Sequence, residues 1–308
     1  MKAFRFGYQA AAVDPEEISR CARAAEETGF DVFHVGDHVG VESSVLASLA
    51  AAALTTTTIR LGPLVLNNDL GHPVLLAQEL ATIDRLSHGR LEVGIGAGHS
   101  FPEYATIGQP FDAPGRRKER LAESVEILRA LLDGQRLTYR GQHYRLEDAV
   151  VVRPMQDHVP ILVGVNGPSA LAHAARHADI IAPTMLGRTR PDGQHHEVRW
   201  EASRLDQTIA WIKSQAVERW GTLELHALVQ AVVVTEDRNA VGLDIAGRTG
   251  MDLDDILSTP FLCLGTHQEI CDHLLACRQR WGISFYTVRD IDGFAPVIQG
   301  LRSSSAFV

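Results

Sequence analysis

Positive charge is in short supply. The 308 residues carry 29 Lys and Arg against 38 Asp and Glu, a formal net charge of -9, and no long basic run occurs. An acidic surface is repelled by polyphosphate and by anionic lipid. Nucleic acid and an anionic membrane surface are therefore poor main partners, and phosphate would be held locally, by backbone amides and one or two arginines. Cysteine is scarce too. Cys21, Cys263, Cys271 and Cys277 form no CxxC pair and no disulfide-framework spacing. With no recognisable secretion signal, the expectation is reduced thiols in a cytoplasmic protein. No apolar stretch is long enough for a membrane. The longest with helical character, 45–54, is Ala-rich and well short of the roughly 20 residues a bilayer span needs.

Two catalytic signatures are also missing. No G-x-S-x-G occurs, so a hydrolase nucleophile elbow is not supported. Gly94, Gly96 and Gly98 are spaced GxGxG rather than GxGxxG, and Pro102 and Pro110 stand where a helix would follow, which argues against a dinucleotide fingerprint.

What is present is a 45% hydrophobic chain with an alternating rhythm of strands and helices. Short apolar strands are expected at 4–8, 31–35, 59–66, 91–95, 161–164, 179–182, 225–234 and 284–288. Helices fall between them. Asp14-Pro15-Glu16-Glu17 reads as a capping box opening a helix to Thr28, and Thr266-His267-Gln268-Glu269 as another opening a helix to Trp281. A hairpin is expected around Gly141. Residues 187–197 read as a polar loop and 236–260 as a looser segment. Eight strands, each followed by a helix, are the pattern of an α/β (β/α)8 TIM barrel, with insertions after strands 4, 6 and 7 and one domain over 1–308.

In that fold the active site lies at the C-terminal ends of the strands. Asp37 and His38 follow strand two. His38 is a candidate to move a proton near neutral pH, or it is a half-exposed turn residue. Asn67 and Asn68 follow strand three and offer amide donors and acceptors, or plain turn chemistry. The glycines of strand four either admit a ligand close to the backbone or form a tight barrel corner. Gly164-Val165-Asn166-Gly167-Pro168-Ser169 leads directly into a helix, a candidate phosphate site or an ordinary helix start. His173 and His177 have zinc-compatible i, i+4 spacing. With no third ligand nearby in the sequence, they read as a solvated outer face.

Five ordered features resemble a known family. They are Gly36-Asp37-His38; Arg60-Leu61-Gly62-Pro63-Leu64-Val65-Leu66-Asn67 with His72-Pro73; Gly89-Arg90-Leu91-x-Val93-Gly94-x-Gly96-x-Gly98; Tyr139-x-Gly141-x-His143-Tyr144; and Pro160-Ile161-Leu162-Val163-Gly164 with Ala178-Asp179. The chain resembles the luciferase-like monooxygenase superfamily, and within it the coenzyme F420-dependent oxidoreductases. That resemblance implies a deazaflavin, or alternatively FMN, inside the barrel mouth. It implies a cis peptide between Leu64 and Val65 behind the ring, and a coenzyme phosphate held by Gly164, Val165, Asn166 and Gly167 with help from Thr184. It implies that Asp37 contacts the ring, Asn67 its edge or tail, and that Gly96 and Gly98 floor the mouth beside it. His38 matches the active-site histidine. Such an enzyme moves a hydride to or from a small organic substrate, reducing C=C or C=N or oxidising an alcohol, with His38 as proton donor or acceptor. The FMN alternative inserts oxygen. A homodimer is also expected of the superfamily.

The chain departs from the sugar-phosphate dehydrogenases of that branch at two places. Residues 39–43 contain no Trp, and His99 stands directly after the glycines where those enzymes carry a catalytic Glu. His99 is expected across the pocket from His38, anchoring substrate or sharing the proton role.

Overall fold

The computed structural model describes residues 2–11, 14–193 and 195–305. In chain order the elements are β1 (Arg5–Ala10), α1 (Ile18–Thr28), β2 (Val32–Val35), α2 (Val45–Thr55), β3 (Arg60–Pro63), β4 (Leu66–Asn67), α3 (Pro73–Leu86), β5 (Val93–Gly96), α4 (Phe101–Thr106) and α5 (Pro114–Leu132). There follow β6 (Leu137–Arg140), β7 (Arg145–Ala149), β8 (Ile161–Val165), α6 (Pro168–His177), β9 (Ile180–Pro183), β10 (Leu186–Thr189), β11 (His196–Val198) and α7 (Ala202–Ala216). The chain continues through β12 (Glu224–Leu228), β13 (Ala231–Val234), α8 (Arg238–Thr249), α9 (Leu253–Ser258), β14 (Leu262–Gly265), α10 (His267–Trp281), β15 (Ile283–Val288) and α11 (Ile291–Ser305).

One parallel sheet runs β3-β2-β1-β15-β12-β9-β8-β5-β4. β3 and β4 are two halves of the third stave, so the sheet returns on itself as a TIM barrel; a parallel bridge from Leu61 to Leu91 seals the seam. Side chains alternate across the barrel wall, as strand geometry requires. Val32, Leu162, Ile180 and Phe285 pack inside with Leu64. Phe33, Val35, Leu61, Ile95 and Val163 face the helices in the larger core cluster. Arg5 plugs the N-terminal end, paired with Glu92 and, at 2.6 Å, with Glu224.

The turn into the fourth stave has a physical explanation. Gly89 adopts φ +82°. The buried Arg90 guanidinium then donates to the carbonyls of Ala53, Thr56, Ile59 and Ser87, stapling the end of α2 to the start of β3. Buried Asp84, in the last turn of α3, accepts from the amides of Leu91, Met155 and Gln156. Each burial of a charged group is matched by hydrogen bonds, which is what makes it tolerable.

Insertions follow the fourth, sixth and seventh staves as the sequence suggests, but several are more ordered than expected. The 187–197 stretch pairs β10 with β11, with Gln194 outside the described residues. The long seventh strand splits: β13 leaves the barrel and pairs in parallel with β14. The segment 236–260 contains α8 and α9, and the last helix runs 15 residues. The capping box at Thr266 and Glu269 forms, with Glu269 accepting from the Thr266 amide at 2.8 Å. The one expected at Asp14 does not: that side chain caps nothing, and Glu17 pairs with Arg20 instead. Among the described residues no helix is long and apolar enough to cross a membrane.

Candidate active site

The third stave breaks at the mouth. A cis peptide joins Leu64 to Val65. The Leu64 amide donates to Val35 O at 2.8 Å, and its carbonyl accepts from Gln9 Nε2 at 2.7 Å. Arg289, just past β15, donates to Gln9 Oε1 at 2.9 Å. The break is thus tied to the first, second and eighth staves. Val65 bulges across the ends of β5 and β8. A side chain at Gly96 would stand 2.9 Å from a Val65 methyl, one at Gly94 3.3 Å from Val65 and closer still to the Pro63 carbonyl, and one at Gly164 3.6 Å from Val65. The glycine run therefore serves close packing within the wall: it makes room for the Val65 bulge.

Asp37 and Asn67 meet beside the bulge. The Asn67 amide donates to Asp37 Oδ2 at 3.0 Å. Burial pushes the Asp37 carboxyl up to about 6, against the lowering effect of that amide and helped by nearby Glu103. Asn67 Oδ1 accepts from the Asp69 amide at 3.1 Å and lies 3.2 Å from the Tyr104 hydroxyl. Its Nδ2 is buried and has no hydrogen-bond partner among the described residues. Gly98, at φ +70°, leaves the space that Asn67 and Tyr104 fill, and Arg117 donates to its carbonyl.

His38 sits on the loop after β2 with its side chain 44% exposed. Its Nδ1 is 2.8 Å from Glu103 Oε1, and the Glu103 side chain is only 9% exposed. The hydrogen bond to Glu103 raises the His38 pKa; burial opposes and loses. The His99 ring lies 5.5 Å from that of His38, nearly perpendicular to it, and the His196 ring lies 5.1 Å beyond His99. Burial, then the neighbouring His196 and His38, push His99 down to about 4. His196 is also lowered, mainly by burial, and its Nε2 is buried without a hydrogen-bond partner among the described residues. The β10–β11 hairpin that carries His196 docks on the start of α4, where the Phe101 amide donates to Gly193 O at 3.0 Å.

Glu103 and His196 are absent from the sequence reading. Glu103 rides on α4, a helix that Pro102 seemed to forbid. Pro102 occupies the first turn, where a missing N–H costs nothing. A carboxylate does stand at the mouth, four residues past the position where the sequence shows only His99.

At the fifth stave, Asn166 is already spent: its Oδ1 accepts from the Met185 amide at 2.9 Å and its Nδ2 donates to Leu186 O at 3.1 Å. Thr184 donates its amide to Val165 O. The open groups belong to α6. Gly167, at φ +87°, precedes it without a side-chain cap, and Lys118 Nζ comes within 3.2 Å of where a Gly167 Cβ would stand. The local cation is a lysine, not the expected arginine; burial lowers its pKa, with Arg117 adding to the effect.

Eight parallel staves alternating with helices, with titratable side chains gathered at their C-terminal ends, define a TIM barrel of the enzyme kind. The luciferase-like monooxygenase family model matches residues 2–284, and the chain belongs to that family. It is 36% identical over 185 residues to an F420-dependent glucose-6-phosphate dehydrogenase of Nakamurella multipartita, covering 57% of this chain and 54% of that one; the chain spans about half the length of the relatives it matches. Among solved structures it is similar to the coenzyme F420-dependent tetrahydromethanopterin reductase of Methanopyrus kandleri (TM-score 0.77, 20% identity, 100% of both chains). It is also similar to an F420-dependent secondary alcohol dehydrogenase in complex with an F420-acetone adduct (TM-score 0.75, 19% identity, 96% of this chain and 97% of that one).

Proposed function

We propose that the chain is a coenzyme F420-dependent oxidoreductase acting on a small organic substrate, and that the His38–Glu103 pair at the barrel mouth is its proton-handling unit. That pair, held at 2.8 Å between the loop that follows β2 and α4, is the observation that carries the reading. The F420-dependent relatives support the choice of coenzyme.

The residues present fit such a coenzyme. An uncapped helix N-terminus with Lys118 beside it suits a phosphate diester, since free amides and an ammonium are both donors. The buried, unpartnered Nδ2 of Asn67 awaits an acceptor, as the carbonyl edge of a flat heterocycle would provide. In this reading Gly164, Val165 and Gly167 shape the phosphate cradle. Asn166 and Thr184 act indirectly, by fixing the turn after β9. Gly96 and Gly98 contribute by seating Val65, Asn67 and Tyr104. Bound there, the deazaflavin supplies hydride exchange at its C5.

The protein's part is the proton. Glu103 faces Nδ1 of His38, which leaves Nε2 for the substrate. As imidazolium, His38 delivers a proton to a C=C or C=N bond being reduced; as imidazole, it accepts one from an alcohol being oxidised. Its raised pKa extends the charged form further into the neutral range, which favours the donor role. His99, kept neutral, offers an uncharged hydrogen-bonding group beside His38 rather than across from it. The reading also takes the chain as one barrel domain that works as a cytoplasmic homodimer.

Mixing the purified protein with coenzyme F420 and with FMN, while recording absorbance and oxygen uptake, tests the assignment. A spectral shift on binding F420, with no oxygen consumed in either reduced form, is expected. Oxygen-dependent turnover with reduced FMN, or binding of neither coenzyme, overturns it.

A further inference from the structure

Outside the mouth, on the helical layer, α5 and α6 bring Glu126, His173 and His177 together. Their ligand-type atoms all lie within 4.8 Å of one another, and all three residues are half-buried. His173 and His177 are one turn apart on α6, which places both imidazoles on one face. Their rings stack at 4.3 Å between centroids, 20° from parallel. Glu126 reaches across from α5, its Oε1 3.1 Å from His173 Nε2. This is the third ligand that the sequence alone did not show.

Two details fit a ligand set better than a simple hydrogen bond. The Tyr139 hydroxyl donates to Glu126 Oε2 at 2.8 Å, which fixes the carboxylate and leaves Oε1 directed at the histidines. Such outer hydrogen bonds orient metal-ligating carboxylates. His177, meanwhile, has no hydrogen-bond partner for either ring nitrogen among the described residues, although it lies in a half-buried position.

We propose that Glu126, His173 and His177 bind one divalent ion of the zinc class, with a fourth position open to water, and so clamp α5 to α6. Two imidazoles and a carboxylate match the preferences of Zn2+; Mg2+ and Ca2+ require six or more oxygens. Tetrahedral bonds of about 2.0–2.2 Å put ligand atoms roughly 3.4 Å apart, so side-chain rotations closing the present spread by up to about 1.4 Å complete the site. The clamp is independent of the coenzyme reading. It links α5, which carries Lys118, to the helix whose N-terminus forms the phosphate cradle.

The test uses untagged protein stripped with a chelator and titrated with Zn2+ against a chromophoric indicator. One tight equivalent is expected. The double variant His173→Ala/His177→Ala should lose it, and Tyr139→Phe should weaken it roughly 10- to 100-fold. A variant of the mouth histidines, His99→Ala/His196→Ala, should keep it. A readout that needs no variant is the histidine ring NMR spectrum of the wild type: Zn2+ should shift His173 and His177 and leave His38 in place. Absence of a tight equivalent, its retention in the double variant, its loss in the mouth variant, or shifts confined to His38 and His99 would each overturn the proposal.

Discussion

His34 and His38 stand four residues apart, one on β2 and the other on the loop that leaves it, yet the structure treats them in opposite ways. His34 points into the barrel, fully buried. Its Nδ1 lies 3.3 Å from Gly62 O, and its ring is 5.9 Å from that of Phe285. Among the described residues no carboxylate faces it, and burial pushes it down to about 3. His226 lies across Phe285 in the same interior and is held well below its ordinary value for the same reason. His38 is half-exposed and has Glu103, so its pKa goes up. An identical side chain becomes a neutral packing group or a proton carrier according to one carboxylate and access to water. His99, beside His38 and surface-exposed but flanked by His196 and without a paired carboxylate of its own, is also pushed down.

The comparison can be broken by substitution. At the mouth, His38→Ala should lower kcat by about 10²–10⁴ and leave coenzyme affinity unchanged, measured by steady-state kinetics and coenzyme titration. A variant with full turnover would remove His38 from the chemistry. In the interior, Phe285→Ala should instead cost about 3–5 kcal/mol of stability in urea unfolding, because the ring is wholly buried between the two histidines. The enzyme that remains folded should keep its kcat.

Acid sharpens the contrast. Between pH 6.5 and 4 the unfolded chain takes up protons that His34, His226 and His99 refuse in the folded state. Stability contributed by groups with depressed pKa is therefore lost as the pH falls through this window. Asp37, raised to about 6, and Glu224, also raised by burial, act in the opposite sense, favouring the folded state at low pH and losing that contribution as pH rises, but His177, His196 and His273 are lowered too, so the depressed histidines outnumber them. The melting temperature should fall from pH 6.5 to 4, and His226→Gln should flatten the curve; a flat wild-type curve would contradict the neutral interior. The His38–Glu103 pair runs the other way. It stabilises fully below about 6.5 and weakens as pH rises through the raised His38 value. Glu103→Gln should therefore remove a small alkaline decline in melting temperature. The smallest effect expected is from His196→Ala, which removes a neighbour that lowers His99 and should raise the His99 pKa slightly in an NMR titration.

Much of this was legible in the chain. The staves are short apolar runs, and their polar exits, Asp37-His38 and Asn67-Asn68, fall at the mouth because parallel connections leave no other place for them. The zinc-type triad was half visible: i, i+4 spacing gave the histidines, but Glu126 comes from another helix, and nothing local announces a contact across 47 positions. Glu103 was hidden by Pro102, which looks like a helix breaker until its place in the first turn is known. His196 was hidden in a polar hairpin with little strand propensity. The glycines looked like openings for a ligand. Gly96 also makes room for Val65, whose position depends on a backbone break that only the family resemblance suggested, and Gly98 makes room for Asn67 and Tyr104.

An NMR titration of the histidine rings, in the wild type and in Glu103→Gln, tests the central claim most directly. The account predicts that His38 titrates above 6.5 and moves down in the variant, while His34 and His226 stay neutral across the neutral range in both proteins. A His38 that titrates below 6.5, or that is unmoved by the loss of the Glu103 charge, would contradict it.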